Sequence, residues 1–147
     1  MEFRELLKTI KGLDPKEYAE AFAQSNEFLS YRLDFSQKSL IEEIDKILDC
    51  EVGIEPIHPE SWELSSMMAI YIGETLCRIY DGIWQGAFTN KAGDYYTSWL
   101  MFGEYKFAPT HFIQYRISNG KESEGTFKEY FEIVKPEIIA RKSNFNK

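Results

Sequence analysis

A chain of 147 residues can bury a core without disulfides or a structural metal, and 44% hydrophobic with 28% charged residues excludes both a disordered chain and a fibre. Seventeen basic against twenty-four acidic residues give a formal charge of −7, which repels phosphate backbones and anionic lipid and argues against nucleic acid or a membrane surface as partner. That charge serves either solubility alone or attraction to a basic partner.

Phe3, Leu6, Leu7 and Ile10 recur at helical spacing before Gly12, predicting a short amphipathic helix with a glycine cap. Asp14-Pro15-Lys16-Glu17 then sets an N-cap, a proline at the first helical position and a reciprocal acid. Tyr18, Phe22, Ser25 and Leu29 mark the inward face of this second helix, expected to run to about Arg32. After Leu33-Asp34-Phe35, Ser36 caps a third helix carried by Leu40, Ile41, Ile44, Ile47 and Leu48. Gly53, Pro56 and Pro59 break the pattern over residues 51–61, giving an ordered loop with Ser61 as the next cap.

Trp62 to Tyr80 reads as a central helix, with Met68, Tyr71, Ile72, Leu76 and Ile79 on one side and enough further apolar residues to be mostly buried. Asp81-Gly82 ends it. From Ile83 to Phe88 the period changes to that of a strand, and after a polar turn at 89–94 Tyr95 to Phe102 predicts a second strand covered on both faces. Phe102-Gly103-Glu104-Tyr105 places glycine first in a two-residue loop, so a type II′ hairpin and a third strand through Phe107 complete an antiparallel meander. Pro109 opens a helix in which Phe112, Ile113, Arg116 and Ile117 share a side before Asn119-Gly120, with a strand over 112–117 as the alternative. Thr126-Phe127-Lys128-Glu129 is a capping box for a last helix through Phe127, Tyr130, Phe131 and Val134, expected to stop at Pro136 and leave a loose tail over 140–147.

No stretch approaches the roughly 20 apolar residues of a membrane span, and Met1-Glu2-Phe3-Arg4-Glu5 carries acids where a signal peptide is basic, so the sequence predicts a cytoplasmic protein. Cys50 and Cys77 show no CxxC or Cys/His spacing and read as buried free thiols. His58 and His111 pair with no metal-ligand partner at the usual spacing, and GxSxG, GxxxxGK[ST] and GxGxxG motifs are missing, so no catalytic residue, metal or cofactor is assigned. Glu42, Asp45 and Asp49 fall on the polar side of the third helix, where Lys46 can pair with Glu42 and the face reads as solvated.

Glu74 is the charge that calls for an explanation. It lies in the most apolar helix, one turn before Arg78. Burial there demands pairing, and two readings stay open. The pair is either a structural ion bridge or the floor of a pocket between the central helix and the sheet, with Tyr71, Tyr80 and Trp84 beside it. Aromatics form 16% of the chain, and rings such as Tyr95 and Trp99 on an open sheet face would anchor a protein partner.

Leu33-Asp34-Phe35-Ser36 with Ser39-Leu40, Tyr71-Ile72-Gly73-Glu74 with Arg78 and Gly82-Ile83-Trp84, and the stretch from Pro109 to Val134 together resemble a broad group of small bacterial domains of unknown function. Its pattern is D-x-S-x-x-S-L, then Y-[IL]-G-E, then G-x-W, and here it covers about residues 33–134, leaving the helical pair of residues 1–32 outside. Some relatives of that type are thought of as immunity proteins beside secreted toxins, which implies a toxin-like protein partner. The sequence thus predicts one α+β domain over 1–147, with five to six helices around a three-stranded antiparallel meander, that binds a basic protein. The alternative is a small-molecule binder or an enzyme using the helix–sheet pocket. The candidate binding residues are Glu74, Arg78, Tyr80, Trp84, Tyr95 and Trp99.

Overall fold

The computed structural model describes residues 15–25, 28–56, 62–85 and 99–145. The predicted first helix, the Asp14 and Ser61 caps, His58, the strand beyond Gln85, the turn at 89–94 and Tyr95 lie outside these residues. Within them the chain is α+β, with helices packed on a three-stranded antiparallel sheet of order β1-β2-β3.

Helix α1 (Pro15–Gln24) buries Tyr18, Ala19 and Phe22 and packs against the central helix. It ends short of Arg32. The Ser25 hydroxyl donates to the Phe22 carbonyl at 3.0 Å, a local bond that competes with helix continuation. Phe28 then turns in against Phe22, ring centroids 4.6 Å apart, while Leu29, expected on the inward face, is 64% exposed. The predicted third helix exists as α2 (Gln37–Glu42) and α3 (Ile44–Ile47), meeting at Glu43 and running into a π-helical turn, Leu48–Val52. Its apolar register holds through that wide turn: Leu40, Ile44, Ile47 and Leu48 are all fully buried. Ser36 caps α2 by accepting the Ser39 amide at 3.1 Å.

Helix α4 (Trp62–Tyr80) has the predicted bounds, and Met67 to Ile72 are buried on every side. Ile79 departs from the predicted stripe and is 36% exposed. Asp81, at φ 57°, takes the left-handed conformation that closes the helix.

Strands β1 (Ile83–Gln85), β2 (Trp99–Phe102) and β3 (Tyr105–Phe107) pair as Ile83 to Met101, Gln85 to Trp99, Leu100 to Phe107 and Phe102 to Tyr105. Gly103 has φ 61° and Glu104 is not left-handed, the type II′ pattern expected. Opposed residues of antiparallel strands share a face, so Trp84, Leu100, Phe102, Tyr105 and Phe107 face the core. Ile83, Gln85, Trp99, Met101 and Lys106 form the outer face, which is open to a substantial degree, whereas the sequence predicted cover on both sides of β2.

Helix α5 (Thr110–Asn119) settles the helix-or-strand alternative, burying Phe112, Ile113, Arg116 and Ile117 together and ending at Gly120. After the single turn α6 (Lys121–Glu124), α7 (Phe127–Phe145) passes straight through Pro136 where a stop was predicted, and the backbone of the expected tail is helical as far as Phe145. Pro136 sits on the exposed side, where the carbonyl it leaves unbonded can meet water, and the buried stripe Phe127, Phe131, Val134 continues beyond it to Ile138. Phe112 stacks on Tyr130 at 5.0 Å and meets Phe127 at 5.7 Å, joining α5 to α7.

Candidate functional site

The residues of the first two sequence patterns converge. Asp34 accepts both the amide and the hydroxyl of Ser36, which lowers the Asp34 pKa, and Ser36 in turn caps α2. The Ser39 hydroxyl shares a 2.7 Å hydrogen bond with the Tyr71 hydroxyl, and that phenol oxygen accepts the Phe35 amide at 3.0 Å. Burial raises the Tyr71 pKa despite these bonds. They hold Phe35 at φ 61°, a left-handed conformation that costs a residue with a side chain roughly 1–2 kcal/mol. Its ring is then 4.9 Å from Tyr71 and lies 3.7 Å beneath the Arg78 guanidinium.

One turn along α4, the lack of a side chain at Gly73 lets helix and sheet touch. A Cβ there would lie 2.6 Å from Cζ2 of Trp84, so the indole ring occupies that space. The Trp84 indole N–H donates to Glu74 Oε1 at 3.2 Å, and Arg78 Nε donates to Glu74 Oε2 at 2.8 Å. Arg78 Nη2 reaches on to Glu20 of α1 at 3.2 Å. Glu74 is buried and both its oxygens are engaged, so the predicted ion pair is present and widened into a clamp joining α1, α4, the Phe35 turn and β1. Gly82 makes the same allowance for Phe102, whose Cδ1 would be 2.9 Å from an added Cβ. The Tyr80 hydroxyl donates to Gln37 Oε1 at 3.2 Å, tying α4 to α2.

Of the six predicted binding residues, Glu74, Arg78 and Trp84 are brought into direct contact. Tyr80 bonds elsewhere, Trp99 lies on the outer sheet face, and Tyr95 is outside the described residues. On that outer face Ile83 is 61% exposed and directly opposite Met101, while Lys106 Nζ sits 4.5 Å over the Trp99 ring. The result is an apolar strip with an aromatic ring and a cation at one end.

A second polar cluster was not anticipated. Arg116 is 1% exposed, and its Nη2 donates to Asp49 Oδ1 at 3.2 Å and to the Gly53 carbonyl at 2.8 Å, while Nη1 is buried with no hydrogen-bond partner among the described residues. Lys121 Nζ takes the other Asp49 oxygen at 2.8 Å. Asp45 accepts the amides of Phe127 at 2.7 Å and Lys128 at 3.1 Å, capping α7 from a helix 82 residues earlier. Thr126 and Glu129 add the local box, with the Glu129 amide on the threonine hydroxyl at 3.1 Å. Asp45 and Asp49 are therefore long-range anchors, whereas Glu42 is exposed as expected, and Lys46 pairs with Glu43 at 3.5 Å, not with Glu42. One sequence signal pointed to Arg116, its place on an apolar stripe with Phe112, Ile113 and Ile117.

Cys50 is exposed, contrary to expectation, on the π-helical turn. Cys77 is half-buried; burial first, then the Glu74 carboxylate, pushes its thiol pKa up to about 12. His111 is exposed beside Tyr115, ring centroids 6.5 Å apart. Among the described residues no three His, Cys, Asp or Glu side chains gather as metal ligands, and no helix is long and apolar enough to cross a membrane. No family model, curated protein or solved structure matches this chain.

Proposed function

We propose that this chain is a non-catalytic domain that binds a basic protein partner through the open face of its sheet, in the manner of an immunity-type protein. The observation that carries the reading is the strip on the outer sheet face made by exposed Ile83 with half-buried Met101 and Trp99. Such a patch gains by being covered, and tryptophan and methionine are favoured anchors at interfaces. The net charge of −7 supplies long-range attraction to a cationic partner and disfavours acidic ones.

The test is affinity capture of the tagged chain from its native host at low salt, comparing wild type with an Ile83→Lys, Met101→Lys double variant. Both substitutions are on the outer face, so the fold should persist. A stoichiometric basic protein held by wild type, lost in the variant and released by salt is the expected result. No companion on wild type, or equal retention by the variant, would overturn the proposal.

A further inference from the structure

A recess of about 680 Å³ lies between the turn at 54–56 and the corner where α5 meets α6, within the size range of ligand clefts. Its walls are fixed by the backbone. The Lys121 amide donates to the Ile54 carbonyl at 2.9 Å, Gly120 rests against the Pro56 ring, and the buried Arg116 holds the Gly53 carbonyl from beneath.

Its polar character follows from which charges are already committed. Lys121 is the cation among the lining residues, and its ammonium is drawn to Asp49. Glu55 and Glu122 are exposed at the recess, and neither has an ion pair among the described residues. Ile54, 56% exposed, and Pro56 supply an apolar wall. Two uncommitted carboxylates beside an apolar wall suit a long side chain with an apolar stem and a cationic head.

We infer that this recess receives a lysine or arginine side chain of a protein partner, as a second contact besides the sheet. The source of that side chain rests on the protein-binding reading; the chemistry of the recess does not. A carboxylate attracted by Lys121 is the competing occupant, and Glu55 and Glu122 would repel it.

The probes are butylguanidinium and, as an anion of similar length, butyrate, titrated separately into the isotope-labelled full chain and followed by amide NMR. Butylguanidinium should shift the amides of residues 54, 55 and 119–123 to saturation, and butyrate should not. A Glu55→Gln, Glu122→Gln variant, altered only at exposed positions, should keep the remaining spectrum and bind butylguanidinium about tenfold more weakly, as loss of two exposed charge pairs implies. Saturation by butyrate, shifts from butylguanidinium at other residues or nowhere, or unchanged affinity in the variant would each overturn the inference. Neither probe is a protein, so failure here leaves the capture experiment standing. Failure to capture a partner would in turn overturn the sheet-face reading without touching the recess.

Discussion

Replacing Glu74 by alanine and by glutamine probes the clamp where helix α4 meets the sheet. Orphaning a fully buried charge costs roughly 3–5 kcal/mol. Arg78 escapes most of that, because its side chain is 33% exposed and keeps Glu20 at 3.2 Å, which brings the ionic part down to about 1 kcal/mol. The Trp84 indole loses its carboxylate acceptor at 3.2 Å, worth about 1–2 kcal/mol for a half-buried donor. Glu74→Ala should therefore cost about 2–3 kcal/mol. Glu74→Gln, which keeps the shape and one carbonyl acceptor, should cost about 1 kcal/mol, whereas Trp84→Phe, which removes the N–H together with the part of the indole that fills the space at Gly73, should cost about 2–4 kcal/mol. Because Glu74 and Trp84 touch, a cycle combining Glu74→Gln with Trp84→Phe should show a coupling of about 0.5–1 kcal/mol. Urea unfolding followed by far-ultraviolet circular dichroism measures all four. Strict additivity, or an alanine variant no worse than glutamine, would refute the clamp.

Asp45→Ala removes the acceptor of two amides at the start of α7 and should lower stability by about 1–2 kcal/mol, seen as a fall in Tm, while the Thr126 box remains. Arg116→Met should fall within about 1 kcal/mol of wild type in urea, because Asp49 keeps Lys121 and one guanidinium nitrogen has no partner among the described residues; a loss near 4 kcal/mol would contradict this. Above pH 9 stability should decline. The ordinary thiol and phenol ionise near 9.0 and 10.0, whereas burial holds Cys77 and Tyr130 protonated to about 12 in the fold. The unfolded chain therefore binds fewer protons over that window, and their contribution, intact at lower pH, is lost as pH rises. Cys77→Val should flatten the decline, and at about pH 8 a thiol reagent should modify Cys50 promptly and Cys77 only on unfolding.

Local chemistry was legible in the sequence where it acts over a few residues. The Ser36 and Thr126 caps, the Gly103 turn and the bounds of α4 each rest on neighbours within one helical or hairpin turn. The Glu74–Arg78 pair was visible for the same reason, at i,i+4 spacing. What the sequence concealed depends on partners far along the chain. Asp45 and Asp49 look like surface acids until α7, Arg116 and Lys121 are brought against them, and Arg116 looks like a polar residue misplaced on an apolar stripe until the Gly53 carbonyl is beside it. Pro136 misled because a proline's effect depends on which side of the helix it occupies, and here the side is the exposed one. Ser25 misled in the opposite direction, its hydroxyl competing for a backbone carbonyl on what reads as a regular apolar face.

The cap that Asp45 places on α7 bears on the order of events during synthesis. The buried stripe of α7 supplies the last layer of core, and the carboxylate that fixes where that helix begins is synthesised 82 residues before the first amide it caps. Until then Leu40, Ile44 and Ile47 lack their final cover, so the emerging chain carries an uncovered apolar surface through most of its translation. Chaperone dependence should accordingly be greatest for chains stalled before residue 127, and should fall once α7 has cleared the exit tunnel.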